Sequence, residues 1–380
     1  MKISSVYQIM KATLSRNLLE LALSHAYDST EKKASESFCQ LDFDSSNLKI
    51  TTKGAFTAYE ESLPVIKCDE AVKFSVKTST LLEFVRHINA DDLIMSYDTT
   101  KNNFLVSSGD KKSKLAIQSV DIKFDPIVDT AENIYEIPNS NEFISKLSFA
   151  SRFCSNNFQD HPLTGIHCFF DQNKLILKST NGATFYSSEL EVKGTESSEL
   201  YLHKKTFSIL KNIFDCESLQ KISINKNSIV LKSLNNCLQI FIEKAVDSFP
   251  NQINDWLDKD YTAEIKVSTF ELIKSLKFFN GIFGDASVQL SAENNLLELS
   301  CKEKTSEDKK ESSMAAKECV VVEYLSGKTK SAYNSKYFLD CLDSLQSTWV
   351  EIKFINMHES FDLCKMTAND TLILLCPAIF

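Results

Sequence analysis

Three stretches of this sequence read as one helix written three times. Thr78 to Ile88 is T-S-T-L-L-E-F-V-R-H-I, Lys204 to Phe214 is K-K-T-F-S-I-L-K-N-I-F, and Asn334 to Leu345 is N-S-K-Y-F-L-D-C-L-D-S-L. Their starts lie 126 and then 130 residues apart. Each spaces its apolar residues for one helical face. Self-similarity at a fixed period decides the organisation of a chain before any single element does.

Working outward, another amphipathic stretch precedes each of these helices. Val6, Ile9, Met10, Thr13, Leu14, Leu18 and Leu21 make one stripe. Phe143, Ile144, Leu147, Ala150 and Cys154 make the second, and Leu272, Ile273, Leu276 and Phe279 the third. Between the two helices lie alternating runs that read as hairpins, each a polar turn followed by leucine-rich alternation. They are Asp44 to Ile50 (D-S-S-N-L-K-I), Asp171 to Leu177 (D-Q-N-K-L-I-L) and Ala292 to Leu299 (A-E-N-N-L-L-E-L). The first two continue alike, K-G-A-F-T-A-Y from Lys53 against N-G-A-T-F-Y from Asn181. After each second helix comes another strand group, opened by Leu93–Tyr97, Lys221–Ile224 and Trp349–Phe354.

Each unit is therefore helix, strands, helix, strands over roughly 120 residues, an ordinary domain size. The expectation is an α+β chain of three tandem units, 1–128, 129–258 and 259–380, with two helices packed on antiparallel sheet in each. Boundaries fall near Asp129–Tyr135 and Asp258–Thr262, and the charged stretch Lys302 to Ser313 reads as a solvated loop.

The bulk numbers agree. At 380 residues, 43% of them hydrophobic, the chain suits two or three domains. With 26 Phe and 11 Tyr it can fill sizeable cores. No run approaches a membrane span, and the start lacks a signal-peptide stretch, so the expected location is the cytoplasm. The 11 Cys are scattered with no Cys-x-x-Cys, and small buried thiols in a reducing compartment are expected rather than disulfides or zinc ligands.

The formal charge of −9 argues against nucleic acid unless basic residues are gathered in one place. The six expected helices, 6–23, 78–89, 141–153, 203–214, 268–280 and 334–346, gather them. They carry Lys11, Arg16, Arg86, Lys146, Arg152, Lys204, Lys205, Lys211, Lys274, Lys277 and Lys336 against Glu20, Glu83, Glu142, Glu271, Asp340 and Asp343, a net of +5 in an acidic chain. Lys204, Ser208 and Lys211 share a face away from Phe207, Leu210 and Phe214, and Lys274 and Lys277 lie opposite the Leu272/Leu276/Phe279 stripe. Helices hold Lys on a solvated side by default. A cation on the polar side of all six is less expected by default, and converging faces would make a surface for phosphates, with all of these except Lys336 as the DNA-binding set. No base-reading motif is visible, so binding would be blind to sequence.

Catalytic signatures are absent. There is no Gly-x-Gly-x-x-Gly, no Walker loop and no Gly-x-Ser-x-Gly elbow. The six His show no metal-binding spacing, and adjacent His167 and Cys168 point to opposite faces of a strand. No catalytic residue, metal or cofactor is expected, although a Cys/His site assembled from distant positions stays open as a rival.

Local motifs resemble the bacterial DNA polymerase III beta subunits, the beta sliding clamps. Pro162-Leu163-Thr164-Gly165 resembles that family's R-P-x-L-T-G segment, and Thr180 to Phe185 (T-N-G-A-T-F) sits where it has T-D-G-H-R-L. Asp247-Ser248-Phe249-Pro250 is similar to D-G-x-F-P, Asn334 to Asp340 to its N-x-x-Y-L-x-D helix, and Cys376 to Phe380 to the terminal M-P-M-R-L. The pattern spans most of the chain and is weakest in the first unit.

The resemblance implies three clamp-type domains and a head-to-tail homodimeric ring, with helices lining a central hole for double-stranded DNA and sheets outside. It implies that a first-domain edge strand, here Lys114 to Ile117, meets the third domain, with Leu115 and Ile117 facing Phe278 and Phe279. At least one of those two phenylalanines can equally be internal core. It further implies a pocket for short linear motifs of the replicative polymerase, the clamp loader and repair proteins. Its lining would be His161, Leu163, Thr180, Gly182, Phe185, Pro250, His358, Ser360, Leu374, Cys376 and Pro377. Departures fall there: Ala183-Thr184 replace His-Arg, Phe185 replaces Leu, Cys376 replaces Met, and Asn254 stands near an expected cation. The usual motif should therefore bind weakly. The implied function is a noncatalytic sliding clamp and processivity factor. The alternative is a divergent clamp paralogue acting as a noncatalytic protein-interaction scaffold.

Overall fold

The computed structural model describes residues 9–30, 37–131, 133–157, 163–214, 218–241, 249–250, 252–257, 259–293, 295–302, 315–358 and 361–378. Among them are seven helices: α1 Arg16–Asp28, α2 Thr78–His87, α3 Ser140–Arg152, α4 Lys204–Phe214, α5 Gln252–Leu257, α6 Thr269–Phe283 and α7 Ser335–Leu345. All else of regular structure is antiparallel sheet. The architecture is α+β as expected.

The element order repeats three times, with one strand more at the front of each repeat than periodicity suggests. Ile9–Ser15, Asn133–Glu136 and Tyr261–Ser268 each lead into the first helix. The expected helix over 6–23 is thereby corrected: residues 9–15 are a strand, and α1 starts at Arg16. Met10 and Leu14 are four apart, a spacing that suits either period. Ala12 between them is also buried, and that alternation belongs to a strand. Lys11 therefore projects from a sheet, not from a helix.

Side-chain caps mark the starts of both helices of the third repeat. Ser268 accepts from Glu271 N ahead of α6, and Asn334 Oδ1 accepts from Lys336 N and Tyr337 N, both at 3.0 Å, ahead of α7. At the far end of α6, Gly284 at φ +67° ends the helix in a conformation that favours glycine.

The chain packs as two compact units, 1–144 with 192–198 and 205–244, and 145–191 with 199–204 and 245–380. In the first, a five-stranded sheet runs Lys67–Cys68, Ile9–Ser15, Asp92–Asp98, Asn103–Ser108, Lys114–Gln118. A nine-stranded sheet includes the hairpin strands Phe38–Phe43, Asn47–Lys53 and Thr57–Pro64. α1 packs Leu19, Ala22, Leu23 and Ala26 inward beside Leu81, Leu82 and Val85 of α2. In the second unit a twelve-stranded sheet carries α6 and α7, with Leu272, Leu276 and Phe279 buried on the one and Phe338, Cys341, Leu342 and Leu345 on the other.

The middle repeat is shared between the units because its strands are hydrogen-bonded to both neighbours. Asn236–Phe241 pairs with Thr57–Pro64 of the first repeat, Leu238 opposite Tyr59. Thr184–Glu191 pairs with Thr371–Leu375 of the third, Tyr186 opposite Ile373. Continuous hydrogen-bonded ladders across repeat boundaries leave no polar edge exposed there.

Candidate functional site

An apolar patch forms where the second seam closes. Strand Lys174–Thr180 turns back through Asn181 and Gly182 into Thr184–Glu191. The Asn181 side chain shapes the turn, its Oδ1 accepting from Ala183 N (3.0 Å) and Thr184 N (2.8 Å). Gly182 has φ +87° with open space around it, so the backbone angle, not crowding, favours glycine. Thr180 Oγ1 donates to Thr184 O at 2.6 Å and accepts from Gly182 N. Cys376 N donates to Ala183 O at 2.8 Å, which brings the C-terminal segment against the turn.

Phe185 and Leu374 face each other across the seam and join Phe249, Ile253, Ile355 and Leu363 in one buried cluster. Phe169, Trp256, Leu257, Met357, Leu372 and Cys376 pack on it while keeping part of their surface in solvent. The structure thus brings Thr180, Gly182, Phe185, Leu374 and Cys376 together. Pro250 follows Phe249, two residues before α5 begins, and Pro377 follows Cys376, both half-buried. Leu163 lies apart from the cluster, its carbonyl taken by Ser155 N at 2.7 Å. His161, Ser360 and the side chain of His358 lie outside the described residues.

Sequence reasoning missed Phe249, Ile253 and Trp256. α5 falls on an expected boundary, yet Ile253, Trp256 and Leu257 have the i, i+3, i+4 spacing of a short apolar helical face. The Thr184 hydroxyl bonds to the Asn181 side chain of the turn, Asn254 is solvent-exposed, and the cations at the patch are Lys259, whose Nζ lies 4.0 Å from Met357 Sδ, and Lys178, whose Nζ sits 5.1 Å from the Phe169 ring centre. Such a patch can take apolar side chains of an extended segment, each worth about 1.5–3 kcal/mol when fully buried.

The helix cations divide into committed and free. Arg16 Nε donates to Val85 O at 3.0 Å and Nη2 to Arg86 O at 2.8 Å, capping α2, while Nη2 also pairs with Glu20. Arg86 pairs with Glu83 at 3.3 Å, and Arg152 with Asp343 at 2.5 Å. Lys146 donates to the Glu189 carbonyl, and Lys204 to Asn156 at 2.6 Å. Lys205, Lys211, Lys274 and Lys277 are exposed; for the last three no partner occurs among the described residues. Lys11 leaves the helical set and Asp28, on the last turn of α1, enters it, so the six helices net +3 rather than +5.

Of the four expected interface residues, Phe279 is corrected. It is fully buried beneath α6, in line with Leu272 and Leu276, and belongs to the protomer core. Phe278 beside it is 47% exposed. Lys114–Gln118 is a sheet edge, with Leu115 half-buried and Ile117 buried against its own sheet.

The fold is that of a bacterial beta sliding clamp. Solved clamp structures match nearly the whole chain: the Thermotoga maritima DNA polymerase III beta subunit (TM-score 0.81, 17% identity, 98% of this chain and 100% of that one). The Bacillus subtilis sliding clamp matches at TM-score 0.83 and 15% identity, over 98% and 100%. A Helicobacter pylori beta clamp bound to a DNA ligase peptide matches at TM-score 0.80 and 15% identity, over 97% and 100%. Residues 256–378 match the family model of the DNA polymerase III beta subunit, C-terminal domain. Comparison with curated proteins finds no match. The third repeat of this clamp fold is thus the part whose sequence that family model recognises.

Among the described residues no group of three or more His, Cys, Asp or Glu could hold a metal, and no helix is long and apolar enough to cross a membrane. Burial pushes three of the thiols up, Cys39 and Cys154 to about 12 and Cys237 to about 11, the reverse of what a thiolate nucleophile needs.

Proposed function

We propose that this chain is a noncatalytic DNA sliding clamp and processivity factor of the cytoplasm. Two copies, each of three domains (1–128, 129–258 and 259–380), close head to tail around duplex DNA. The replicative polymerase, the clamp loader and repair proteins are tethered by short motifs on the Phe185/Leu374 patch. The likeness to a Helicobacter pylori clamp bound to a DNA ligase peptide supports a peptide-taking surface.

One observation carries the reading: within the chain each seam joins the last strand of one repeat to a hairpin strand of the repeat before it, and one seam of each kind is left over. Lys114–Gln118, the last strand of the first repeat, has a strand neighbour on one side only among the described residues. Among the described residues, the 315–321 half of Ala315–Gly327, the matching hairpin strand of the third repeat, is paired only to Leu296–Lys302. An unpaired donor edge at one end and an unpaired acceptor at the other favour closure with a second copy.

Light scattering on a sizing column tests this, with a dimer expected for the wild type and a monomer for Leu115→Asp. A monomeric wild type would count against the ring. A scaffold that does not hold DNA is the second reading, favoured by the commitment of Arg16, Arg86 and Arg152 to protein partners. Retention on nicked circular DNA after incubation with the cognate loader separates the two, and only a clamp slides off once the circle is cut open.

A further inference from the structure

The two seams made within the chain and the one left open can be compared residue by residue. Counting from the strand after each hairpin turn, the fourth residues are Ile50, Leu177 and Leu299, and they face Glu61, Ser188 and Glu318. The sixth are Thr52, Ser179 and Cys301, and they face Tyr59, Tyr186 and Ala316. On the incoming strands, Asn236 lies opposite Glu61 and Thr371 opposite Ser188. The strand pairings Leu238–Leu231–Ile222, Ile373–Met366–Ile352 and Leu115–Val106–Met95 align the third incoming strand with these two. Leu115 then falls opposite Ala316 and Ser113 opposite Glu318. Beside the two made seams, Ser62 N donates to Asn235 O at 3.1 Å and Glu189 N to Asp370 O at 3.0 Å, which places Cys319 N on Lys112 O in the third.

The chemistry at the Glu61 position differs among the three. In the first seam the carboxylate is buried and compensated: the Tyr59 hydroxyl donates to Glu61 Oε2 at 2.6 Å, and His25 Nδ1 lies 3.3 Å from the same oxygen. In the second the position is a neutral serine. In the third the carboxylate returns without its company. Ala316 stands where Tyr59 would, and Phe278, ten residues beyond the α6 cap Ser268, stands where His25 follows Ser15. Glu318 Oε2 is shielded from solvent and has no hydrogen-bond partner among the described residues. His25 is 3% exposed beneath its seam strand and Phe278 is 47% exposed, as befits a seam whose strand has not arrived.

We infer that Glu318 is an uncompensated carboxylate built into the intersubunit seam, met by the Ser113 hydroxyl of a second copy and by no cation on the inward face. This rests on the ring reading above. Closure takes the charge further from water with a single hydroxyl to receive it, which weakens that seam relative to the two internal ones. Leu115 and the backbone ladder hold the ring shut, and Glu318 keeps it openable. On the outward face Lys114 meets Lys317, whose charge Glu298 neutralises at 2.6 Å, so no attraction there offsets the effect.

Sedimentation equilibrium of the full chain tests this with Glu318→Gln, Ser113→Ala and the double variant. Glu318→Gln is expected to tighten the dimer by about tenfold or more, since an amide keeps the hydrogen bond without the charge. Ser113→Ala is expected to loosen it about tenfold in the wild-type background and much less when combined with Glu318→Gln, a coupling that a merely structural serine lacks. Thermal unfolding of each variant checks that the protomer is intact. Should Glu318→Gln leave the dimer constant within about twofold, or should the two changes add without coupling, the inference falls while the ring stands. If the wild type is a monomer that Leu115→Asp leaves unchanged, the ring reading falls with it.

Discussion

Arg16 Nη2 donates to the carbonyl of Arg86 at 2.8 Å, so a cation of the first helix closes the carbonyl end of the second. Unpaired carbonyls at a helix end carry partial negative charge, and a guanidinium fork satisfies two of them at once. Arg16→Ala should destabilise the protein by about 1–2 kcal/mol in urea unfolding. Arg16→Lys should recover less than half of that, since an ammonium lacks the planar fork. Retention on DNA should change little once folding is accounted for.

Free cations should behave otherwise. Reversing Lys211, Lys274 and Lys277 to Glu should weaken retention on duplex DNA. Where a lysine neutralises a phosphate, its reversal should flatten the slope of log affinity against log salt by about 0.9. Arg152→Glu, whose partner Asp343 is already at 2.5 Å, should alter that slope far less. Equal slopes for the triple variant and the wild type would count against helices that touch phosphate.

The patch around Phe185 should discriminate by size and charge. With Phe185 and Phe249 rings 5.9 Å apart and no cation at Thr184 or Asn254, a Q-L-x-L-F peptide should give little heat in titration calorimetry below about 100 µM. Phe185→Leu should strengthen it. Low-micromolar binding by the wild type would overturn this expectation.

Buried thiols make an alkaline prediction. Cys39 and Cys154 are held at about 12 by burial, against an ordinary 9.0. Below pH 9 both folded and unfolded chains keep these protons. Above it the unfolded chain sheds them first, so stability falls as pH rises. The slope approaches about 1.4 kcal/mol per pH unit for each thiol. Urea unfolding at pH 8, 9 and 10 reads it, and Cys39→Ala should flatten it although the cavity lowers stability throughout.

By itself the sequence determined the threefold plan. Its hairpins at Asp44, Asp171 and Ala292 and its second helices are written in local periodicity, which depends on neighbours a few residues away, whereas the edge strand at Lys114 came from the family resemblance. Local pattern failed where two periods coincide, as at Met10 and Leu14, and the partner strand Asp92–Asp98 settled that segment as sheet. Tertiary structure decided that the Leu272/Leu276/Phe279 stripe is protomer core rather than ring interface, while Phe278, on another face of the same helix, is left to solvent. It decided which cations are spent, because Arg152 and Asp343 are 191 residues apart in the chain. It also set Phe249, Ile253 and Trp256 around Phe185, a cluster drawn from distant strands and one short helix. The clamp plan is a sum of short-range preferences. The charge left free on its helices, and the carboxylate left alone at its open seam, depend on neighbours that no sequence interval records.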